Sequence, residues 1–382
     1  MSDAAVTPEA GLGRGAPPAA GRLAVLADTL VRSVGPIVLA LAAGAIILLA
    51  LGRNPGAFYG DIVEGGLTRT TGLQDSVTRM APLLLIAVGL VVVFRANIWN
   101  LGIDGQLLLA AVMVAGVGPP LDRAIPNGLA LVLLWLLAGA VGAVWTIIPA
   151  FLKARYHVNE IITTLMMTFI GINVANLFIK GPFRDFESTN VPQTSVLPVE
   201  QRLPDLPGTQ VHAGIVVALA AAFAVHYVMT RTAFGLRLNV LGANPRAAAH
   251  FGLSVPRLVM MSFGVSGAII GFAAAAEILG VWGYVRADWN PAFGLTVVPL
   301  VFLARLNALA VIPFVALLAV LSIGGDLAAR RADLPNDFLL VLVGLILLFM
   351  AVTEYLGRKR ELGSSYLTAG LAAALRRRRS RE

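Results

Sequence analysis

Ten apolar segments free of Asp, Glu, Lys and Arg recur along this 382-residue chain, at 34–52, 80–94, 105–121, 124–152, 161–179, 211–230, 258–276, 289–304, 306–325 and 338–353. A helix that crosses a bilayer needs about 20 largely apolar residues. No water-facing surface could be built from such a chain, because only 13% of it is charged, against about 25% in soluble domains. The segments predict an all-α integral membrane protein with about ten transmembrane helices. The shorter segments gain length from flanking residues that snorkel to the interface. Segments 105–121 and 289–304 are candidates for broken or re-entrant helices, which survive where protein or a cavity covers the backbone.

Charge sets the expected orientation. With the N-terminus in the cytoplasm and ten crossings, nineteen of the 29 Lys and Arg residues fall inside. Inside acids number eight and outside acids twelve, with Glu277 left within a segment. This follows the positive-inside rule and puts both termini in the cytoplasm. The net charge of +8 is therefore an orientation signal and calls for no nucleic acid. Residues 1–33, rich in Ala, Gly and Pro, read as a disordered cytoplasmic tail. Their "GLGRG" (11–15) follows no strand and so is no nucleotide loop. Segment 34–52 is longer than a secretory signal core and reads as an uncleaved first span. The membrane-spanning body runs over 34–356. Residues 357–382 form a basic cytoplasmic tail suited to anionic lipid. The chain has no cysteine, which excludes disulfides and thiolate sites.

Two connections are long. Residues 180–210, on the outside, are rich in Pro and mixed in charge; they suit a docking surface or lid, or simply a solvated loop. Residues 231–257, on the inside, carry four arginines and no acid. There "GANPRAAAHFGL" has the marks of a short helix. Asn244 caps, Pro245 takes the first helical position, Arg246 to Phe251 make about two turns, and Gly252 ends them. Its alanine face is too small to anchor in lipid, which favours contact with a soluble partner.

Polar groups at membrane depth form three clusters. In "FRANIWNLGIDGQLLLAA" (94–111), a continuous helix would put Asn97, Asn100 and Asp104 on one face, with Gln106 off it. Alternatively Gly102 and Gly105 break the helix. In "YHVNEIITTLMMTF" (156–169), Glu160, Thr163 and Thr164 share a face. In 258–276 and just beyond, Ser262, Ser266, Ala273 and Glu277 fall within about 60° at 100° per residue. Gly264, Gly267 and Gly271 narrow another part of the same helix for close packing. Such clusters either line a solute path or hold helices together. No metal-ligand spacing, serine elbow or phosphate loop appears, so neither catalysis nor ATP hydrolysis is expected. An ion-coupled secondary transporter of a small polar solute is the alternative reading. It would call for paired intramembrane carboxylates or broken helices in matched halves.

Five stretches, "FRANIWNLGIDGQLLLAA" (94–111), "ARYHVNEIITTLMM" (154–167), "GLRLNVLGANPRAAAHFGL" (235–253), "SGAIIGFAAAAEILG" (266–280) and "FLARLNALAVIP" (302–313), carry a resemblance. The chain resembles the permease subunits of bacterial ABC importers for nucleosides and simple sugars, with a ribose/branched-chain amino acid permease-like fold. The resemblance implies transport, not enzymatic activity, in the bacterial cytoplasmic (inner) membrane. It implies an ATP-binding-cassette ATPase partner, a second and shorter permease in a heterodimer, and a lipoprotein of the basic-membrane-protein type that delivers solute. No cofactor is implied for this chain, since ATP belongs to the ATPase. Gly242, Asn244, Pro245, Arg246, Ala247, Phe251 and Gly252 match the family's ATPase-coupling segment. The implied substrate path takes Asn97, Trp99, Asn100, Asp104, Gln106, Asn159, Glu160, Thr163, Ser266, Glu277 and Asn307. Two departures stand out. Ile103–Asp104 replaces the usual pair before Gly105–Gln106, putting the shorter carboxylate in place of glutamate. Ala304, Ala308 and Ala310 stand where glycine and proline are common, so that loop is expected to be more helical.

Overall fold

A computed structural model describes residues 19–187, 191–335 and 338–361. Its α-helices are α1 (Ala19–Ala50), α2 (Pro55–Val63), α3 (Thr70–Arg95), α4 (Ile103–Ala124), α5 (Asn127–Trp145), α6 (Ile147–Tyr156), α7 (Glu160–Lys180), α8 (Gly214–Arg231), α9 (Ala233–Ala243), α10 (Pro245–His250), α11 (Val255–Glu277), α12 (Phe293–Leu303), α13 (Val311–Arg331) and α14 (Phe338–Glu361). Single π-helical turns follow α2 at Glu64–Thr68 and α11 at Ile278–Trp282.

Among the described residues, seven helical stretches are long and apolar enough to cross a bilayer. They correspond to the expected segments from 80–94 to 306–325, except for 289–304. Segments 34–52, 289–304 and 338–353 correspond to shorter apolar helices. Several boundaries move. Segment 80–94 lengthens to begin at Thr70, and the 211–230 span begins at Gly214. Segment 105–121 is an unbroken helix from Ile103. Segment 289–304 holds one short helix, Phe293–Leu303, after an irregular stretch at 289–292. The N-terminal tail is not wholly irregular: Ala19 onward joins α1, as its alanines and leucines favour. "GLGRG" and the tail beyond Glu361 lie outside the described residues.

The chain divides into two compact units. One comprises the described parts of Met1–Ala40 and Ile346–Glu382. The other, Leu41–Leu345, runs from the end of α1 into α14. At its centre stand α3, buried continuously from Ala81 to Phe94, and α11. α11 packs on α3, α4 and α5, while α4 also packs on α7 and α13 on α2 and α3. Small residues permit these approaches. A Cβ on Gly142 would strike the Gly267 carbonyl, one on Gly271 would strike Ala138, and one on Gly105 would press on Thr168. Of the three glycines expected to narrow α11, Gly267 and Gly271 are at such contacts; Gly264 faces open space. Without a hydrophobic drive between helices in lipid, such close packing is the main adhesive. The outward faces stay apolar, as with Val132, Leu136 and Val144 on α5 and Phe169 and Leu177 on α7.

The two ends of this unit differ. One end collects the C-termini of α3 and α8, α9, α10 and the loop after α12. There the Arg95 guanidinium donates to the carbonyls of Leu306 (2.9 Å) and Met229 (3.4 Å). The opposite end carries the 183–212 loop and the ion pairs of Arg331 with Asp61 and Glu64, and of Arg53 with Asp333. The long loop is not loose. Its backbone N–H groups at Thr194, Leu197 and Leu203 donate to the carbonyls of Val285, Gly283 and Leu279, which seats it over the segment after α11.

Candidate functional site

The α9–α10 end presents the expected capped helix. Asn244 stands in extended backbone, and its Oδ1 accepts from the N–H groups of Arg246 (3.0 Å) and Ala247 (3.1 Å). Pro245 fills the first helical position, and its missing N–H costs nothing there. Gly252 closes the helix at φ +76°, a left-handed conformation that glycine takes without strain. Ala247 is half-buried and Ala248 fully so, while Asn244, Pro245, Arg246 and Phe251 are exposed. Phe251, 80% exposed, is an aromatic knob without a seat in this chain. Ahead of it lies α9, a second helix that sequence reasoning missed. α9 is tied to the bundle by Gly242, where a Cβ would land on the Arg95 carbonyl oxygen. α9 and α10 thus form a lever-shaped arm whose inner end rests on α3.

Beside this lever opens a cavity of about 530 Å³ lined by Asn97, Trp99, Lys153, Glu160, Leu241 and Pro245 among others. Asn97 ends α3 in left-handed backbone, φ 55°, which asparagine tolerates better than most residues. The break therefore falls at 96–102 and ends on Gly102, the N-cap of α4, while Gly105 lies inside α4; the continuous-helix reading of 97–108 is overturned. Trp99 packs on Phe94 and Phe302, ring centres 5.2 and 5.4 Å away. Glu160 is buried and receives the Lys153 ammonium at 2.7 Å. Asn159 caps α7 by accepting from Ile161 N–H, and the Thr163 hydroxyl turns back to the Asn159 and Glu160 carbonyls. Asn307 Oδ1 accepts from the Leu309 and Ala310 N–H groups and closes the turn just before α13. The loop before it is not helical, contrary to expectation. Arg305 and Leu306 both take positive φ, held there by the Arg95 bond to the Leu306 carbonyl and by the Asn307 turn.

Asn100 and Gln106 do not line that cavity. Both are fully buried, and they satisfy each other: Gln106 Nε2 donates to Asn100 Oδ1 at 3.0 Å, and Asn100 Nδ2 donates back at 3.4 Å. Asn100 Oδ1 also accepts from Gly102 N–H. Leu101 N–H goes to the Thr164 hydroxyl. The two amides close the irregular turn that starts α4. Asp104 Oδ1 accepts from Gly294 N–H at 2.8 Å, so it joins the start of α4 to the start of α12.

The opposite part of the bundle holds Glu277 and Ser266. Both are buried, on one face of α11 as expected. Glu277 has a partner that the charge-free segments concealed. Arg79, inside α3, donates to its Oε1 at 3.2 Å, and the Trp282 indole N–H donates to the same oxygen at 3.0 Å. Arg79 also lies over the Phe293 ring, 4.8 Å from its centre. The sequence did hold a signal for Arg79: a lone acid inside a span requires a cation within reach. The predicted path residues thus form two separate groups, one at the α9–α10 end and one near Glu277, with the Asn100–Gln106–Asp104 turn joining helices between them.

Comparison with known proteins follows the same lines. The family described as "Branched-chain amino acid transport system / permease component" matches residues 72–351. The glucose ABC transporter permease protein TsgB13 of Haloferax volcanii is 33% identical over 335 residues, 85% of this chain and 87% of that one. The guanosine ABC transporter permease protein NupP of Bacillus subtilis is 30% identical, over 82% of this chain and 91% of its own. The nucleoside ABC transporter permease protein NupB of Lactococcus lactis is 24% identical, over 83% of this chain and 89% of its own. With the family match running from the first turn of α3 into α14, the chain belongs to this permease family: it is a multi-pass membrane subunit of an ABC transporter and not an enzyme.

Proposed function

We propose that this permease imports a neutral nucleoside or simple sugar as the longer half of a heterodimer, fed by a lipid-anchored binding protein in a bacterial cytoplasmic membrane. Family membership itself implies an ATPase subunit and a substrate-binding protein. The observation that carries the proposal is the α9–α10 lever. A capped helix with an exposed Phe251 is joined through Gly242 to the last carbonyl of α3. In this reading that end faces the cytoplasm and seats in the ATPase, and both termini lie on the same side. The 183–212 loop faces the binding protein. Closure of the ATPase pushes α9, and Arg95 passes the movement to α8 and the 304–310 turn. The cavity lined by Asn97, Trp99 and Glu160 is the exit vestibule, and its amides and aromatic faces suit an uncharged polar solute. Ser266 and Glu277 mark the entry side. Asn100, Asp104, Gln106, Asn159, Thr163 and Asn307 shape the path by fixing helix starts.

The names of the relatives divide between sugar and nucleoside. Uptake by the reconstituted importer, offered a panel of labelled nucleosides and hexoses, decides between them. Saturable uptake of a member of either class, abolished when the second permease is omitted, is the expected result. Full uptake without the second permease would contradict the heterodimer, and uptake of branched-chain amino acids alone would contradict the solute class.

A further inference from the structure

Arg79 lies nine residues inside α3, and Glu277 is the last residue of α11. A charge in either place is costly unless paired and hydrogen-bonded. They pair, but incompletely. Glu277 is 1% exposed; its Oε1 receives both Arg79 and Trp282, while Oε2 has no partner. Arg79 Nε likewise has none. A clasp built only to join two helices would use the fork of the guanidinium on both carboxylate oxygens. Here one buried acceptor and one buried donor are left unpartnered within a single ion pair.

The surroundings are aromatic, and the groups beside the buried carboxylate reach the surface. The π-helical turn Ile278–Trp282, closed by Gly283 at φ 72°, brings Trp282 back over Glu277. Such turns are frequent at functional sites. The Trp282 side chain is 37% exposed and is flanked edge-on by Tyr284 and Trp289, with ring centres 6.5 and 6.2 Å away. The Arg79 side chain is 30% exposed.

We infer that Arg79, Glu277 and Trp282 form a solute-binding subsite for a neutral polyhydroxylated solute with one flat face. Charge supports neutrality: the ion pair cancels itself, so an ionic solute gains nothing here and meets a charge of its own sign. Glu277 Oε2 accepts from a solute hydroxyl, and Arg79 Nε donates to a solute oxygen, which supplies the partner each of them lacks. The Trp282 face takes the C–H face of a sugar ring or the π face of a base. The inference rests on the permease reading, and it assigns to the entry side the first discrimination between solutes.

The test uses the complete reconstituted importer and two solute pairs, ribonucleoside against 2′-deoxyribonucleoside and hexose against its 2-deoxy form. Whichever pair the wild type transports is followed. Wild type is expected to favour the hydroxylated member about tenfold in kcat/KM. Glu277→Gln should reduce that preference to about threefold or less. Trp282→Leu should raise KM about tenfold, and Trp282→Phe, which keeps a flat face, should raise it less than threefold. The charge-swapped double variant Arg79→Glu/Glu277→Arg separates the subsite from a clasp: it restores the pairing but should not restore the preference. Recovery of the preference in the swapped variant would overturn the subsite. So would an unchanged KM in Trp282→Leu, which stands as a test even where the Glu277 variants fail to fold. No ATP-driven uptake by wild type would instead overturn the permease reading itself.

Discussion

At the residue scale, the polar groups of this bundle divide into those that satisfy one another and those held open. Asn100 and Gln106 are of the first kind. Removing one partner strands the other in a buried, low-dielectric place, at a cost of about 1–3 kcal/mol. Asn100→Ala and Gln106→Ala are therefore each expected to lower thermal stability, and the double variant to cost less than the sum. Additive losses in this double-mutant cycle would show that the two amides do not act as a pair. His212, which precedes α8, gives a pH prediction. Its Nδ1 accepts from Gly214 N–H at 3.1 Å, so the neutral ring carries its proton on Nε2, which packs on Gly280. Burial holds its pKa below the ordinary histidine value, with the nearby Asp205 opposing. The unfolded chain therefore binds a proton first as pH falls below about 6.5. The stability from neutral His212 is complete above that pH and is lost as pH falls toward the lowered folded value. Thermal unfolding followed from pH 7.5 to 5.0 should show wild type losing stability more steeply than His212→Asn. Parallel profiles would contradict the buried neutral ring.

Elements were legible in the sequence to the degree that one local rule governed them. Asn244, Pro245 and Gly252 each act through their own backbone geometry, and α10 formed where they placed it. α9 escaped notice because its eleven residues contain Arg237 and show no cap beyond Thr232. α2 and its π-turn were missed because Asp61 and Glu64 made the stretch read as loop; those acids instead bind Arg331 across the bundle. The 304–310 turn defied its alanines because two left-handed residues are fixed by Arg95, 210 positions away from the nearer one in sequence. The contact of α9 with α3 is where the lever should fail. Gly242→Ala puts a methyl against the Arg95 carbonyl and should cut uptake at least tenfold while the chain still binds its ATPase. Wild-type uptake by Gly242→Ala would show that α9 does not work through α3.

The molecule as a whole follows from the ten apolar segments, whose length and lack of charge require a multi-pass bundle and whose small residues permit its packing. Arg79 marks the limit of that reasoning. Cutting segments at charged residues ended the second span at Met80 and hid the cation that Glu277 required. The proposed transport roles fall where the bundle departs from long regular helices: the 96–102 turn, the π-turn after Glu277, the irregular approach to α12, and the α9–α10 lever. The central claim is that this chain moves solute only when an ATPase drives that lever. It is tested most directly by solute uptake into proteoliposomes holding this chain, its ATPase and its companion permease, with loaded binding protein supplied outside. Uptake is expected to require ATP within and the ATPase subunit, and to fall at least tenfold in Phe251→Ala. Saturable uptake by this chain alone, without ATPase or ATP, would contradict it.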